Sequence, residues 1–242
     1  MLQSRIVIIY ICIAVFISAC MQVNEQEHFR LMKTLSEKTG IEMLVIDEAE
    51  KITHVNATRL MGNFRGTSFT DDPIKSTIHQ ESPKGKTVEL PGVSFLVDYA
   101  IDEALVDALN RKFSYRNCIA FISDDSDDKK HTVSIIHATD KYNIVRLQEM
   151  SGGSDVYATD SLILKLKTLD QKYPFDFIGV GTDWCLLKFK TTPVDYKDFA
   201  KCILDVCPID EEEPTGNSVE RYADSIRKAF NGGKRNVSMW WD

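Results

Sequence analysis

The sequence carries no surplus of positive charge: 29 Lys and Arg stand against 36 Asp and Glu, a net of -7. Duplex nucleic acid is thereby excluded as a main partner, because phosphate binding draws on counterions displaced by a basic surface. Glycine and proline are few, 12 and 7 among 242 residues, which excludes collagen-like and low-complexity chains. None of the six Cys forms a C-x-x-C pair, and no H-E-x-x-H, P-loop or G-x-S-x-G elbow occurs. Those absences remove the recognisable signatures of zinc, nucleotide and serine-hydrolase chemistry. The five His (His28, His54, His79, His131, His137) are scattered without metal-ligand spacing, so neither a metal nor a cofactor is expected. At 43% hydrophobic, the chain has ample material for a core, in one large domain or two small ones.

One long apolar run is present, Ile6 to Ile17, preceded by Arg5 and followed by Ser18-Ala19-Cys20. A positive charge, a short apolar stretch and small residues make a secretory signal, and the run falls short of the about 20 residues a bilayer crossing needs. Ile17-Ser18-Ala19-Cys20 resembles the lipobox of bacterial lipoproteins. That resemblance implies cleavage after Ala19, diacylglycerol on the Cys20 sulfur and acylation of the new N-terminus. The anchor would then hold the protein on the bacterial cell envelope, since two or three acyl chains bind stably where one binds reversibly. Met21 rather than Asp follows Cys20, which favours the outer over the inner membrane. With Cys12 and Cys20 so assigned, Cys118, Cys185, Cys202 and Cys207 read as small buried apolar residues among Leu, Ile, Val and Phe.

The expected organisation is a signal peptide over 1–19, a tether over 20–24, an α/β region over 25–130 and a C-terminal domain over 131–242. Phe29, Met32 and Leu35 predict a helix stopped by Gly40, and Ile41 to Ile46 reads as a strand. Breakers at Gly62, Gly66, Pro73, Pro83 and Gly85 weaken the pattern up to Pro91. A strand at Val93 to Val97 and a helix near Ile101 to Phe113 follow. Asn117 to Ser123 and His131 to His137 predict a hairpin whose tip, Asp124 to Lys130, is charged and solvated. Further on, strands are predicted at Asn143–Met150, Phe175–Val180, Trp184–Lys190 and Val237–Asp242. Helices are predicted at Thr159–Lys172, from Pro193 to Cys207, and from an Asn217/Glu220 capping pair to Phe230. The order β-α-β-β-α-(α)-β predicts an α+β fold whose C-terminal half is a ferredoxin-like antiparallel sheet with helices on one face and one extra helix.

From about His131 to Asp242 the chain resembles an uncharacterised bacterial family, the domain of unknown function 4253. The resemblance rests on Tyr142-Asn143-Ile144-Val145-Arg146-Leu147-Gln148, Leu169-Asp170-Gln171-Lys172-Tyr173-Pro174-Phe175, Val206-Cys207-Pro208 and the closing Trp240-Trp241-Asp242. Ser151-Gly152-Gly153 and the residue after Cys207-Pro208 depart from that family's pattern. The resemblance implies a fold and supplies no chemistry.

Candidate binding residues are Asp183 and Trp184 in a hairpin turn, with Trp240 and Asp242 at the chain end. The two Trp are expected on the sheet face opposite the helices, as an aromatic patch of the kind that anchors protein interfaces. The expected function is a lipid-anchored, non-catalytic interaction module of immunity or envelope type, with a protein partner. The alternative is an envelope hydrolase whose acid/base site lies between the two halves and uses Asp or Glu with His.

Overall fold

The computed structural model describes residues 25–63, 87–124, 129–151, 158–208 and 216–241. The expected signal peptide over 1–19, Cys20 and the expected tether, residues 125–128 of the predicted hairpin tip, Glu211 to Glu213 and Asp242 lie outside them.

The chain opens with a helix over 25–39 (α1), which buries Met32 and stops where Gly40 takes a left-handed φ of +71°. Helix α2 follows at Met43–Thr53, where the sequence predicts a strand. The short apolar run is ambiguous, and the helix-forming Asp-Glu-Ala-Glu-Lys segment after it decides the matter. Val45, Ile46, Ala49 and Thr53 are buried along one side, Lys51 pairs with Asp47 one turn back, and His54 closes the helix in the left-handed region.

Strands β1 (Thr58–Asn63) and β2 (Thr87–Asp98) pair antiparallel. Pro91 lies inside β2, opposite an irregularity: Arg59 faces Val93 while Met61 faces Glu89. A proline, having no N–H for the ladder, is tolerated at such a break. Helix α3 (Asp102–Phe113) then leads to the predicted hairpin, β3 (Cys118–Asp124) and β4 (Lys130–His137).

Residues Asn143–Leu147 form a short helix, α4, where the sequence predicts a strand. Asp140 sets it up, its carboxylate accepting from the Tyr142 N–H and its carbonyl from the Asn143 N–H. Ile144, Val145 and Leu147 are buried against the helices that follow. Next come α5 (Thr159–Lys172), β5 (Phe175–Val180), β6 (Trp184–Phe189), α6 (Tyr196–Val206), α7 (Gly216–Asn231) and β7 (Asn236–Trp240). Helix α6 is capped two residues later than its Pro193 signal: the Asp195 carboxylate accepts from the N–H groups of Lys197 and Asp198. Glu220 accepts from Lys197 at 2.6 Å, not within a capping pair, and the Asn217 side chain lies outside the described residues.

The fold is mixed α+β, and the described residues form one seven-stranded sheet in the order β1-β2-β4-β3-β5-β6-β7. Two antiparallel blocks, β1-β2-β4-β3 and β5-β6-β7, meet at a parallel contact whose only register pair is Ile122 with Gly179. The strand beside β5 is therefore β3, contributed from before residue 131 and not from 143–150. The expected boundary at 130/131 lies one residue into β4, the hydrogen-bonded partner of β3.

Helices lie on both faces, which corrects the expectation of one covered face. Helices α4 to α7 pack on Phe175, Phe177, Cys185, Leu187, Phe189, Val237 and Met239. Helices α1 to α3 pack on Val93, Phe95, Val133, Ile135, Ile122, Ile178 and Trp184 of the other face. The cue lies in β6, whose Trp-Cys-Leu-Leu run is apolar without alternation, as strands covered on both sides are.

Candidate functional site

Trp184 and Trp240 are direct register partners across β6 and β7, and their side chains share a face. They do not form the expected two-tryptophan patch. Trp184 is 7% exposed and Trp240 54%. The difference comes from glycine: the Trp184 indole lies across Gly179 and Gly181, where an added Cβ would stand 2.5 Å and 2.1 Å from ring atoms. Ile122 of β3 touches the same spot. Trp240 lies on β7 at the edge of the sheet, and among the described residues no strand lies beyond it. Asp183 is half-buried in the turn, and its carbonyl accepts the Trp241 N–H at 2.8 Å, so it ties β7 to β6 through its backbone.

The motifs behind the family resemblance meet in space as two locks. In the first, the Asp170 carboxylate at the end of α5 accepts from Lys141 Nζ at 2.7 Å, Tyr142 Oη at 3.1 Å and the Phe175 N–H at 3.1 Å. Burial pushes this carboxyl up, but the three donors together outweigh it and hold it below its usual value of 3.8. Burial, aided by the Asp170 charge, pushes the Tyr142 hydroxyl well above its ordinary range, so Tyr142 stays a donor. In the second lock the Trp241 indole donates to the Val206 carbonyl at 3.3 Å, and Cys207 Sγ donates to the Trp240 carbonyl at 3.1 Å. Both locks fasten helices to the sheet. The first three motifs thus explain fold, and the Trp240 ring is the one aromatic side chain in them left largely in solvent.

Two clefts flank α3 where the two blocks of the sheet meet. One, of about 650 Å³, is walled by Glu103 and Asp107 of α3, Tyr99 before it, His131 of β4, and Trp184 and Lys188 of β6. The Tyr99 and His131 rings meet edge to face with centroids 4.8 Å apart. Lys188 donates to Asp107, and Asn236 of β7 donates to Glu103 at 2.6 Å. The second cleft, about 610 Å³, lies on the other flank and shares Asp107 and Lys188; Asn110, Arg111, Lys141 and Asp176 add to it. Sequence reading picked out Trp184 alone from the first cleft. Glu103 and Asp107 have the i, i+4 spacing of one helix face, a usable signal, but nothing in sequence couples them to Lys188 or His131.

Of the four thiols expected to be buried, Cys118 and Cys185 are, whereas Cys202 and Cys207 are half-buried. Cys118 is pushed up to about 11 by burial, and Cys185, wholly enclosed, is pushed well above its ordinary value. Among the described residues no group of three or more His, Cys, Asp or Glu is placed to hold a metal ion. Among the same residues no helix is long and apolar enough to cross a membrane.

No curated protein and no solved structure matches the chain significantly. The stretch that carries all four motifs, residues 132–242, matches the family model described as Domain of unknown function (DUF4253).

Proposed function

We propose that this protein is a lipid-anchored, non-catalytic binding module that docks a protein partner on the open edge of its sheet at β7. The observation that carries the reading is Trp240, a large aromatic side chain left 54% exposed on the last strand while its register partner Trp184 is buried. Exposed tryptophans on a rigid element make effective interface anchors, because their large area is buried at little cost in conformational entropy. An edge strand adds backbone groups that an extended partner segment can satisfy beside the Trp240 carbonyl, which Cys207 already occupies. The anchor rests on the lipobox at Cys20, and its length of tether, 20–24, would hold the ectodomain close to the envelope surface.

The test is capture from envelope extract by the full-length chain in detergent, beside a Trp240→Ala chain. A specific protein retained by the first and lost by the second, at equal thermal stability, supports docking at β7. Equal capture by both chains, or none by either, defeats it.

Hydrolysis is the competing reading, and the cleft beside α3 gives it a location: carboxylates from residues before 131 and His131 line one cavity. Turnover of an ester, amide or glycoside by the full-length chain, abolished by His131→Gln at unchanged stability, would replace the binding reading with this one.

A further inference from the structure

We propose that helix α1 lies against the bilayer that holds the Cys20 anchor and seats Phe29 in its zwitterionic headgroup layer. The inference rests on the lipid anchor proposed above, and it adds the face that the ectodomain turns to the membrane.

Covalent reach carries it. Five peptide steps separate Cys20 from Glu25, where α1 begins, and fully extended they span at most about 18 Å. Helix α1 itself, over 25–39, is about 22 Å long. An acylated Cys20 therefore keeps the start of α1 nearer to the headgroups than the helix is long. Surface contact at that range is intramolecular, so a weak contact is enough to persist.

Docking on the ectodomain fixes which side of α1 remains for the membrane. Met32 and Thr39 are buried, and His28 Nε2 lies 2.8 Å from Glu50 Oε2 of α2. Phe29 belongs to the same predicted stripe as Met32 and Leu35, yet it stays 51% exposed. Glu25, Gln26, Arg30 and Lys33 share its flank of the helix. The charges there are mixed: Arg30 and Lys33 stand with Glu25 and with Glu37, which lies 3.8 Å from Lys33. An aromatic ring among charges of both signs suits a headgroup that carries phosphate beside an ammonium. A net charge of -7 over the chain opposes an anionic surface and leaves a zwitterionic one accessible.

Phe29→Trp and Leu31→Trp chains, acylated and reconstituted in phosphatidylcholine vesicles, test the proposal. Lipid brominated near the headgroup is the quencher, and the parent chain gives the background. Leu31 is 59% exposed, so both replacements keep the fold, and residues two apart on a helix do not share a side. Emission from Phe29→Trp should shift to the blue and be quenched at least about twofold more than that from Leu31→Trp, at low and high salt alike. Quenching at Leu31→Trp equal to or above that at Phe29→Trp would overturn the inference. So would quenching of neither in protein whose N-terminus carries the acyl mass, and that result leaves the anchor standing. Quenching that needs anionic lipid, or that salt abolishes, would also sink it. A chain without acyl mass ends the anchoring reading, and this inference with it.

Discussion

The carboxamide of Asn110 hydrogen-bonds both backbone groups of Ala120, its Nδ2 donating to the carbonyl at 2.9 Å and its Oδ1 accepting the N–H at 2.7 Å. Ala120 lies on the side of β3 where the pairing with β5 has run out, because the two strands share only the Ile122–Gly179 register pair. A side chain of α3 thus takes the place of a missing strand, and buried backbone groups that would otherwise be orphaned are satisfied.

Asn110→Ala should accordingly destabilise the protein by about 1–3 kcal/mol, the cost of leaving buried polar groups unpaired. Urea denaturation measures it. Loss should be smaller in Asn110→Asp, which retains the acceptor for the Ala120 N–H. A fully neutral Asn110→Ala change would show that water serves Ala120 equally well.

Replacing Gly181 with Ala forces a methyl group against the Trp184 indole, since its Cβ would sit 2.1 Å from Nε1. Overpacking of this kind costs about 1–3 kcal/mol. The Trp184 ring must move outward, so thermal stability should fall and tryptophan emission should shift to the red. Unchanged emission with unchanged stability would contradict the packing described.

Asp170 makes the stability depend on acid. Its native carboxyl titrates below its usual 3.8, so it contributes stability that is complete above the unfolded value and lost as pH falls through the native one. At neutral pH, Asp170→Asn should cost about 1.5–3 kcal/mol, the range for hydrogen bonds to a charged group. Once the pH falls below the native value the parent and variant should converge, because the parent carboxylate is then protonated too. Denaturation curves across that range give the answer, and a constant gap would point to packing and not charge.

The two tryptophans at the chain end should separate cleanly. Trp241 is 6% exposed and donates to Val206, so Trp241→Ala should cost about 3–5 kcal/mol, as large aromatic truncations in cores do. Trp240→Ala should stay within about 0.5 kcal/mol of the parent, the usual range for an exposed site. Thermal melts of both variants decide this.

Cys20→Ser should abolish lipidation and leave the signal uncleaved. Mass spectrometry of the N-terminus and membrane fractionation report the outcome. Wild-type protein carrying Met1 and no acyl mass would end the anchoring proposal.

Much of the second half was legible because its elements are long and internally consistent. Helix α5 runs from Thr159 to Lys172 as its stripe of Leu162, Leu166 and Leu169 predicts, with Pro174 just past its end. Strand β5 likewise begins and ends where predicted. The misreadings fell on short apolar runs, Ile41–Ile46 and Asn143–Met150. Periodicity cannot separate helix from strand over so few residues, and in each case neighbouring polar residues decided: a helix-forming stretch after Ile46, and Asp140 before Asn143.

Local chemistry therefore reaches as far as the type of the longer elements and the apolar face of each, since each depends on neighbours within a few positions. The strand order, the second covered face and the cleft walls depended on tertiary structure. Lys188 meets Asp107 across 81 positions and Asn236 meets Glu103 across 133. Contacts at that separation are selected by how the two sheet blocks join and by the room that Gly179 and Gly181 leave for one indole, a steric outcome that no local pattern encodes.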